Sequence, residues 1–376
     1  MRIYFDNAST TPLLPAVKDA MKAVIDDCYG NPSSIHLHGR KARIIVEEAR
    51  KVIARILNAS TGEIFFTSGA TEANNMVLMA SVRDLGVQRI ISTNVEHHCI
   101  LHMLDHLEQT SGTKVEYLKV DGQGHIKLET LAQLLKQDDA KTLVSVMHVN
   151  NELGTQTDIT AVSKLCQEHG ALFHSDTAQS VGKIPIDLQE IKINFLCGAS
   201  HKFFGPKGVG FVYINGDNMI KPLFHGGDQE RGMRSGTENI YGIAGMSKAL
   251  ELALIEMDDR KKKITELRDY FIGKLRTELE DIKINSPDSS LHNILSVSFP
   301  ESSKSEMLMM NLDIMGISAS SGSACSSGVE NDSHVLEAIG HDPKRKTVRF
   351  SFSHMNTLEE VDYVVDKLKS ISAVAV

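Results

Sequence analysis

The strongest constraint in this sequence is an alternation. Through the first two-thirds of the chain, short apolar runs and amphipathic helical stretches take turns. Residues 15–28 and 38–57 carry apolar side chains at helical spacing, among them Ile44, Ile45, Val52, Ile53 and Ile56. The run 63–66 then reads as a strand and leads, through Ser68-Gly69-Ala70-Thr71-Glu72, into a helix ending near residue 85. The spacing predicts strands at 89–92, 115–118, 143–147 and 171–174, separated by helices at 98–110, 127–137 and 158–169, with further short runs at 193–196 and 209–213. Parallel neighbours need crossover connections, usually helices, so this pattern predicts an α/β fold with a mostly parallel sheet between helices.

Near residue 240 the pattern changes. A long helical region at 239–279, a turn at Ser286-Pro287, a strand at 293–299, a helix, a Ser/Gly-rich loop at 318–328 and a last helix near 357–370 read as a smaller α+β domain. A length of 376 residues is compatible with two domains. The net charge is −8 and there is no Trp, which argues against tight binding to a phosphate backbone, an anionic membrane or stacked bases. No apolar run approaches the length of a membrane span, and the N-terminus has no apolar signal-peptide region. The five cysteines, at 28, 99, 166, 197 and 325, are odd in number, widely spaced and form no C-x-x-C. They suit a reducing cytoplasm with free thiols better than a disulfide scaffold or a structural zinc site.

Open α/β sheets bind ligands at the carboxyl ends of their strands, and four loops there carry polar residues that a core does not need. The loop at 67–72 has hydroxyls at a helix start, suited to an anion; on its own it is as readily an N-cap through Ser68 or Thr71. No Walker A or G-x-G-x-x-G pattern exists, so a nucleoside triphosphate or dinucleotide is not implied. A second loop carries Asn150-Asn151-Glu152, and a third carries His174-Ser-Asp176-Thr-Ala-Gln179, whose acid suits either a pyridinium nitrogen or a simple turn. In the fourth, Lys202 follows an apolar run and precedes two Phe, a setting for an amine nucleophile as well as for a snorkelling surface Lys. His97 lies just past the strand at 89–92, and a satisfied polar role and a catalytic one are both open to it. Cys197, Cys28 and Cys166 read as small buried hydrophobes, whereas Cys325 sits in the Ser/Gly loop and reads as a candidate nucleophile.

In their joint order these segments resemble the cysteine desulfurases of the NifS/IscS type, pyridoxal-phosphate enzymes of fold-type I among the class V aminotransferases. The resemblance runs through Tyr4–Pro12, Gly30–His36, Thr67–Asn75, Asn150–Glu152 and His174–Lys183. It continues through Ser200–Lys202, Gly205–Gly208, Arg231–Asn239, Ser320–Cys325 and Val348–Ser351. It implies that Lys202 carries pyridoxal 5'-phosphate and moves protons at the substrate Cα, that Asp176 pairs with the ring nitrogen, that Gln179 contacts the ring hydroxyl and that His97 stacks on the ring. It implies a phosphate site of Ala70, Thr71, Ser200 and His201, joined by Thr237 from the second subunit of a homodimer. Asn151 and Arg349 would hold the cofactor and the substrate carboxylate, and Cys325 would take the sulfur of L-cysteine as a persulfide. No metal site is implied apart from Cys325 as a transient iron–sulfur ligand.

The resemblance further implies a large domain at 15–257 and a small one of residues 1–14 and 258–376 carrying the reactive loop. Two features depart from the family pattern. Asp228 replaces a residue of a glycine-rich run, and the chain ends at Val376 without the tail by which housekeeping members dock an iron–sulfur scaffold. The sulfur acceptor is therefore open between an iron–sulfur scaffold and a tRNA-thiolation enzyme. The rival readings are a selenocysteine lyase or aminotransferase of the same fold, for which Cys325 has no use in transamination, and a non-enzymatic sulfur carrier or scaffold, against which Lys202, Asp176 and His97 argue.

Overall fold

The computed structural model describes residues 2–301, 307–321 and 333–372. The chain opens with β1 (Ile3–Tyr4), α1 (Pro15–Asp27) and α2 (Leu37–Leu57), followed by β2 (Ile64–Thr67) and α3 (Ala70–Arg83). Then come β3 (Arg89–Thr93), α4 (His98–Ser111), β4 (Lys114–Leu118), α5 (Leu128–Lys136), β5 (Thr142–Ser145), α6 (Ile159–Glu168), β6 (Leu172–Ser175), β7 (Phe195–Ala199) and β8 (Gly210–Ile214). After these lie α7 (Ile240–Ile255), α8 (Met257–Glu278), β9 (Lys283–Ile284), β10 (Ile294–Phe299), α9 (Leu308–Ile314), β11 (Ile317–Ser318), α10 (His334–Ala338), β12 (Lys346–Ser351) and α11 (Leu358–Ser372).

Seven strands form one sheet in the order β2-β8-β7-β6-β5-β3-β4. The neighbours from β7 to β4 are parallel, and β8 alone runs against both of its neighbours. The alternation in the sequence therefore predicts the sheet well. Strands β3, β5 and β7 are buried along their whole length, which is why they read as apolar runs without a polar face. Helix α2 shows the opposite pattern: Ala42, Val46, Ala49, Ile53 and Leu57 are buried at helical spacing, while Asn58 ends the helix in the left-handed region at φ 53°.

Two sets of buried apolar residues matter for the site. One combines Val46, Ile53, Phe66, Val144, Phe173, Leu196 and Phe211 around the large sheet. Another brings Ile3 and Phe5 from the N-terminus together with Phe271, Val297, Val348, Phe350 and Val365. The second set depends on β1 pairing with β11 and on β12 pairing with β10. The helical region at 239–279 is two helices, with Glu256 between them at φ −101°, ψ 11°. No helix among the described residues is long and apolar enough to cross a membrane.

The strand order reverses between β3 and β5: β4 lies on one side of β3, and β5 to β8 lie on the other. The chain therefore leaves the carboxyl ends of β3 and β5 toward opposite sides of the sheet, and such a switch point is the usual ligand position in these sheets.

Candidate active site

A cleft of about 580 Å³ opens at those carboxyl ends. Its walls include Ala70 and Thr71 from the start of α3, His97 after β3, Asn151 after β5, and Asp176 and Gln179 after β6. His201 and Lys202, after β7, and Arg349 from β12 complete it. The structure brings these sequence-selected residues into one place.

Lys202 ends a short 3-10 turn over Ser200–Lys202. Its Nζ donates to the carbonyls of Ala8 at 2.7 Å and Ser9 at 2.9 Å, which the N-terminal segment carries into the cleft. Asp176 is 6% exposed, and its two oxygens are already engaged on the protein side. Oδ1 accepts from the Ala178 N–H at 2.9 Å and from the Cys197 thiol at 3.4 Å, and Oδ2 accepts from Asn74 Nδ2 at 2.8 Å. Gln179 is fixed at both ends of its amide: Nε2 donates to the Ala8 carbonyl at 2.9 Å, and Oε1 accepts from Lys183 Nζ at 3.2 Å.

His97 is the N-cap of α4. Its Nδ1 accepts from the Cys99 N–H at 3.2 Å, and burial holds its pKa below the ordinary imidazole value. A neutral ring that accepts at Nδ1 carries its proton on Nε2. The capping bond also sets the ring plane, so the polar and the catalytic readings of His97 describe one arrangement.

The start of α3 decides between the two readings of its loop. Gly69 is the cap residue, and no side chain among the described residues caps the helix there. The first N–H groups of this 14-residue helix therefore have no side-chain cap among the described residues, and such a helix start suits an anion. The loop is pressed close to the sheet: a Cβ on Gly210 would stand 2.8 Å from Gly69 Cα. His201 adds an Nδ1 that is buried with no hydrogen-bond partner among the described residues, and burial pushes its imidazole down to about 4.

Two residues of the implied phosphate set lie elsewhere. Ser200 is fully buried and outside the cleft wall, where Ala199 stands instead. Its N–H donates to the Val209 carbonyl at 3.2 Å, and its Oγ, buried beside Gly205, has no hydrogen-bond partner among the described residues. Ser200 opens the 3-10 turn, whose next two residues, His201 and Lys202, line the cleft. Thr237 is exposed on the turn before α7 and is no part of its own chain's cleft. Cys325 lies outside the described residues. The other four cysteines are free, and burial pushes the Cys99 and Cys166 thiols up to about 12.

The wall and its immediate surroundings also hold residues to which the sequence reading assigned no role of their own. Glu152 accepts from Ser333 Oγ at 2.5 Å, and burial raises its pKa. The rings of His98 and His334 meet tilted, at 52°, with centroids 4.6 Å apart on the cleft wall. Asp6 and Ser9 engage Arg349: Nη2 stands 2.9 Å from Asp6 Oδ1 and 2.6 Å from Ser9 Oγ, while Nη1 donates to the Asn151 carbonyl at 2.8 Å. Only the motif at residues 4–12 hinted at these N-terminal partners. An amine, a buried carboxylate, a neutral imidazole, an uncapped helix start and an arginine around one cleft form a donor set that fits pyridoxal phosphate and an amino-acid carboxylate.

A model of the family Aminotransferase class-V matches residues 3–364. The chain belongs to this family. It is 42% identical over 374 residues to cysteine desulfurase IscS of Dictyoglomus turgidum, a match covering 98% of this chain and 94% of that protein. A solved NifS-like protein superposes with a TM-score of 0.91 at 38% identity, over 99% of each chain. SspA, solved in complex with cysteine, superposes with a TM-score of 0.81 at 32% identity, over 95% of this chain and all of that one. Within the class-V aminotransferases, this chain groups with the cysteine desulfurases.

Proposed function

We propose that this protein is a pyridoxal-phosphate-dependent L-cysteine desulfurase, which converts L-cysteine to L-alanine and captures the sulfur as a persulfide on Cys325. The observation that carries the reading is the convergence of Lys202, Asp176, His97, the uncapped start of α3 and Arg349 on one cleft, in a chain 42% identical to a cysteine desulfurase. When bound, pyridoxal phosphate supplies an electron sink next to the substrate Cα.

The chain's own residues do the rest. Lys202 holds the cofactor through its amine and moves a proton at Cα. Asp176 takes the ring N–H, Gln179 the ring hydroxyl, and the neutral His97 ring offers a flat face to the ring. Backbone N–H groups at Ala70 and Thr71, the Thr71 hydroxyl and His201 take the phosphate. Thr237 serves the cleft of a second subunit; its exposure, and its absence from its own chain's cleft, support a homodimer. Arg349, with Asn151, receives the substrate carboxylate. The Cys325 thiolate attacks the substrate Sγ, an S–S bond forms, and the Cβ–Sγ bond breaks with its electron pair left on carbon. Protonation of that carbon completes alanine.

The persulfide then passes to an acceptor protein, an iron–sulfur scaffold or a tRNA-thiolation enzyme. Free described cysteines fit a reducing cytoplasm.

Cys325→Ser is the test. It keeps the visible absorbance of the bound cofactor and still binds cysteine, but forms no persulfide and releases almost no sulfide. Mass spectrometry of wild-type protein after incubation with cysteine shows one added sulfur atom on the peptide containing Cys325. Full sulfide turnover by the Ser variant, or a wild-type protein that takes up no pyridoxal phosphate, sinks the reading.

A further inference from the structure

Behind Asp176, away from the cleft, three polar side chains form a chain of hydrogen bonds through the core. Asn74, His174 and Ser145 are each 0% exposed, and none of them lines the cleft. Ser145 Oγ lies 2.9 Å from His174 Nδ1, His174 Nε2 lies 3.1 Å from Asn74 Oδ1, and Asn74 Nδ2 lies 2.8 Å from Asp176 Oδ2. The sheet builds this alignment. Ser145 and His174 are register partners on the parallel strands β5 and β6, so they sit side by side. Asp176, two residues beyond His174, points to the same face. Helix α3 brings Asn74 across that face to close the chain.

The protons in it can run in only one direction. The Asp176 carboxylate accepts and cannot donate, so Asn74 turns its NH2 toward it. That leaves the Asn74 carbonyl oxygen facing His174, which must then donate from Nε2. A neutral ring protonated at Nε2 accepts at Nδ1, and Ser145 Oγ donates there. Burial, which pushes the His174 imidazole down to about 4, keeps the ring neutral at physiological pH.

We propose that Ser145, His174 and Asn74 are positioning residues for the desulfurase reaction, a one-way donor chain that fixes the rotation of the Asp176 carboxylate. This rests on the role given to Asp176 above, as partner of the cofactor's ring nitrogen. A carboxylate that receives donors from the core on one side keeps its remaining lone pairs for the ring N–H on the other. Without the chain the Asp176 carboxylate turns, and the ring nitrogen loses the aligned partner that keeps it protonated.

Two measurements test this. Neutron crystallography of the wild-type holoenzyme shows a deuteron on His174 Nε2, none on Nδ1, and the Ser145 deuteron directed at Nδ1. A deuteron on Nδ1 reverses the chain and overturns the proposal. Separately, His174→Phe and His174→Gln are loaded with pyridoxal phosphate labelled with 15N in the ring. The Phe variant moves the ring-nitrogen resonance toward the unprotonated form and loosens the cofactor about tenfold, the loss of one buried hydrogen bond. The Gln variant, whose amide can donate to Asn74, restores both. An unmoved resonance with unchanged cofactor affinity in the Phe variant overturns the proposal. If that variant does not fold, the neutron map of the wild type still decides. Failure of the underlying reading shows separately, as a wild-type protein that binds no pyridoxal phosphate.

Discussion

Arg349 Nη2 stands 2.9 Å from Asp6 Oδ1, across 343 residues of sequence. The contact joins β12 to the N-terminal segment whose carbonyls hold Lys202. One guanidinium thereby joins the proposed carboxylate site to the segment that holds the Lys202 amine. Lysine cannot reproduce this fork, because its ammonium is a point charge on a flexible stem. Arg349→Lys is expected to lower kcat/KM for cysteine by about ten- to a hundredfold, the range for loss of charge-assisted bonds of about 1.5–3 kcal/mol. Most of the loss falls on KM. Steady-state alanine production measures it, and an unchanged KM moves the carboxylate site elsewhere.

Arg50 and Glu230 form a bidentate pair at 2.8 Å, with both side chains 2% exposed. Glu230 also accepts from the Phe66 N–H of edge strand β2 at 2.7 Å, and it sits at φ 48° in the turn that precedes Thr237. Neutralising Glu230 leaves the buried Arg50 guanidinium, among the described residues, with only the more exposed Glu47 carboxylate, 3.2 Å from its Nε, and the Ile64 carbonyl as partners. Glu230→Gln is expected to destabilise the fold by about 3–5 kcal/mol. The double change Arg50→Met with Glu230→Leu should recover a large part of that, because two matched apolar groups leave no charge behind. Urea unfolding of the three variants gives the answer. A double variant no better than Glu230→Gln would show that the pair's geometry, and not the stranded charge, sets the cost.

Much of this was legible from residues alone, and the limits have definite causes. Strands β3, β5, β6 and β7 could be read because burial on both faces makes them apolar runs, and α4 because His97 and Gly112 bracket it. Strand β12 shows no such run: Lys346 and Thr347 open it, and Arg349 interrupts it, buried with partners that include Asp6 and Ser9 from the other end of the chain. Asn74 and His174 lay in plain view inside quoted motifs. Their role became visible only once sheet register put Ser145 beside His174.

Lys183 is half-buried behind Gln179, and it donates to that residue's backbone carbonyl at 3.0 Å as well as to its side-chain oxygen. Burial, and then the nearby Lys202, push its pKa from 10.5 down to about 7. Between pH 7 and 10.5 the unfolded chain holds a proton that the folded one has released, so this residue makes stability rise with pH through that window. Lys183→Met abolishes the contribution. The stability of wild type relative to this variant is expected to grow from about pH 7 to about pH 9, read by urea unfolding at equal cofactor loading. A difference that stays flat means that Lys183 titrates like an ordinary lysine.

Glu96 gives a dependence of opposite sign. Its Oε1 accepts from Thr93 Oγ1 at 2.8 Å and from the Met147 N–H at 2.9 Å, tying the end of β3 to the segment after β5, where the cleft opens. Burial nonetheless raises its pKa from 4.5 to about 8. Below pH 4.5 both states hold the proton; between 4.5 and 8 the folded state keeps it while the unfolded chain gives it up, so stability falls as pH rises through that window. Glu96→Gln mimics the neutral acid without titrating and keeps an oxygen for the Thr93 and Met147 donors. Its stability relative to wild type is expected to increase steadily from about pH 5 to about pH 8 and then level off, because above the folded-state pKa both forms of the wild type are ionised. Unfolding midpoints across that range check the sign directly. A constant offset between the two proteins would mean that Glu96 is ionised in the fold throughout, with its Thr93 and Met147 donors outweighing burial.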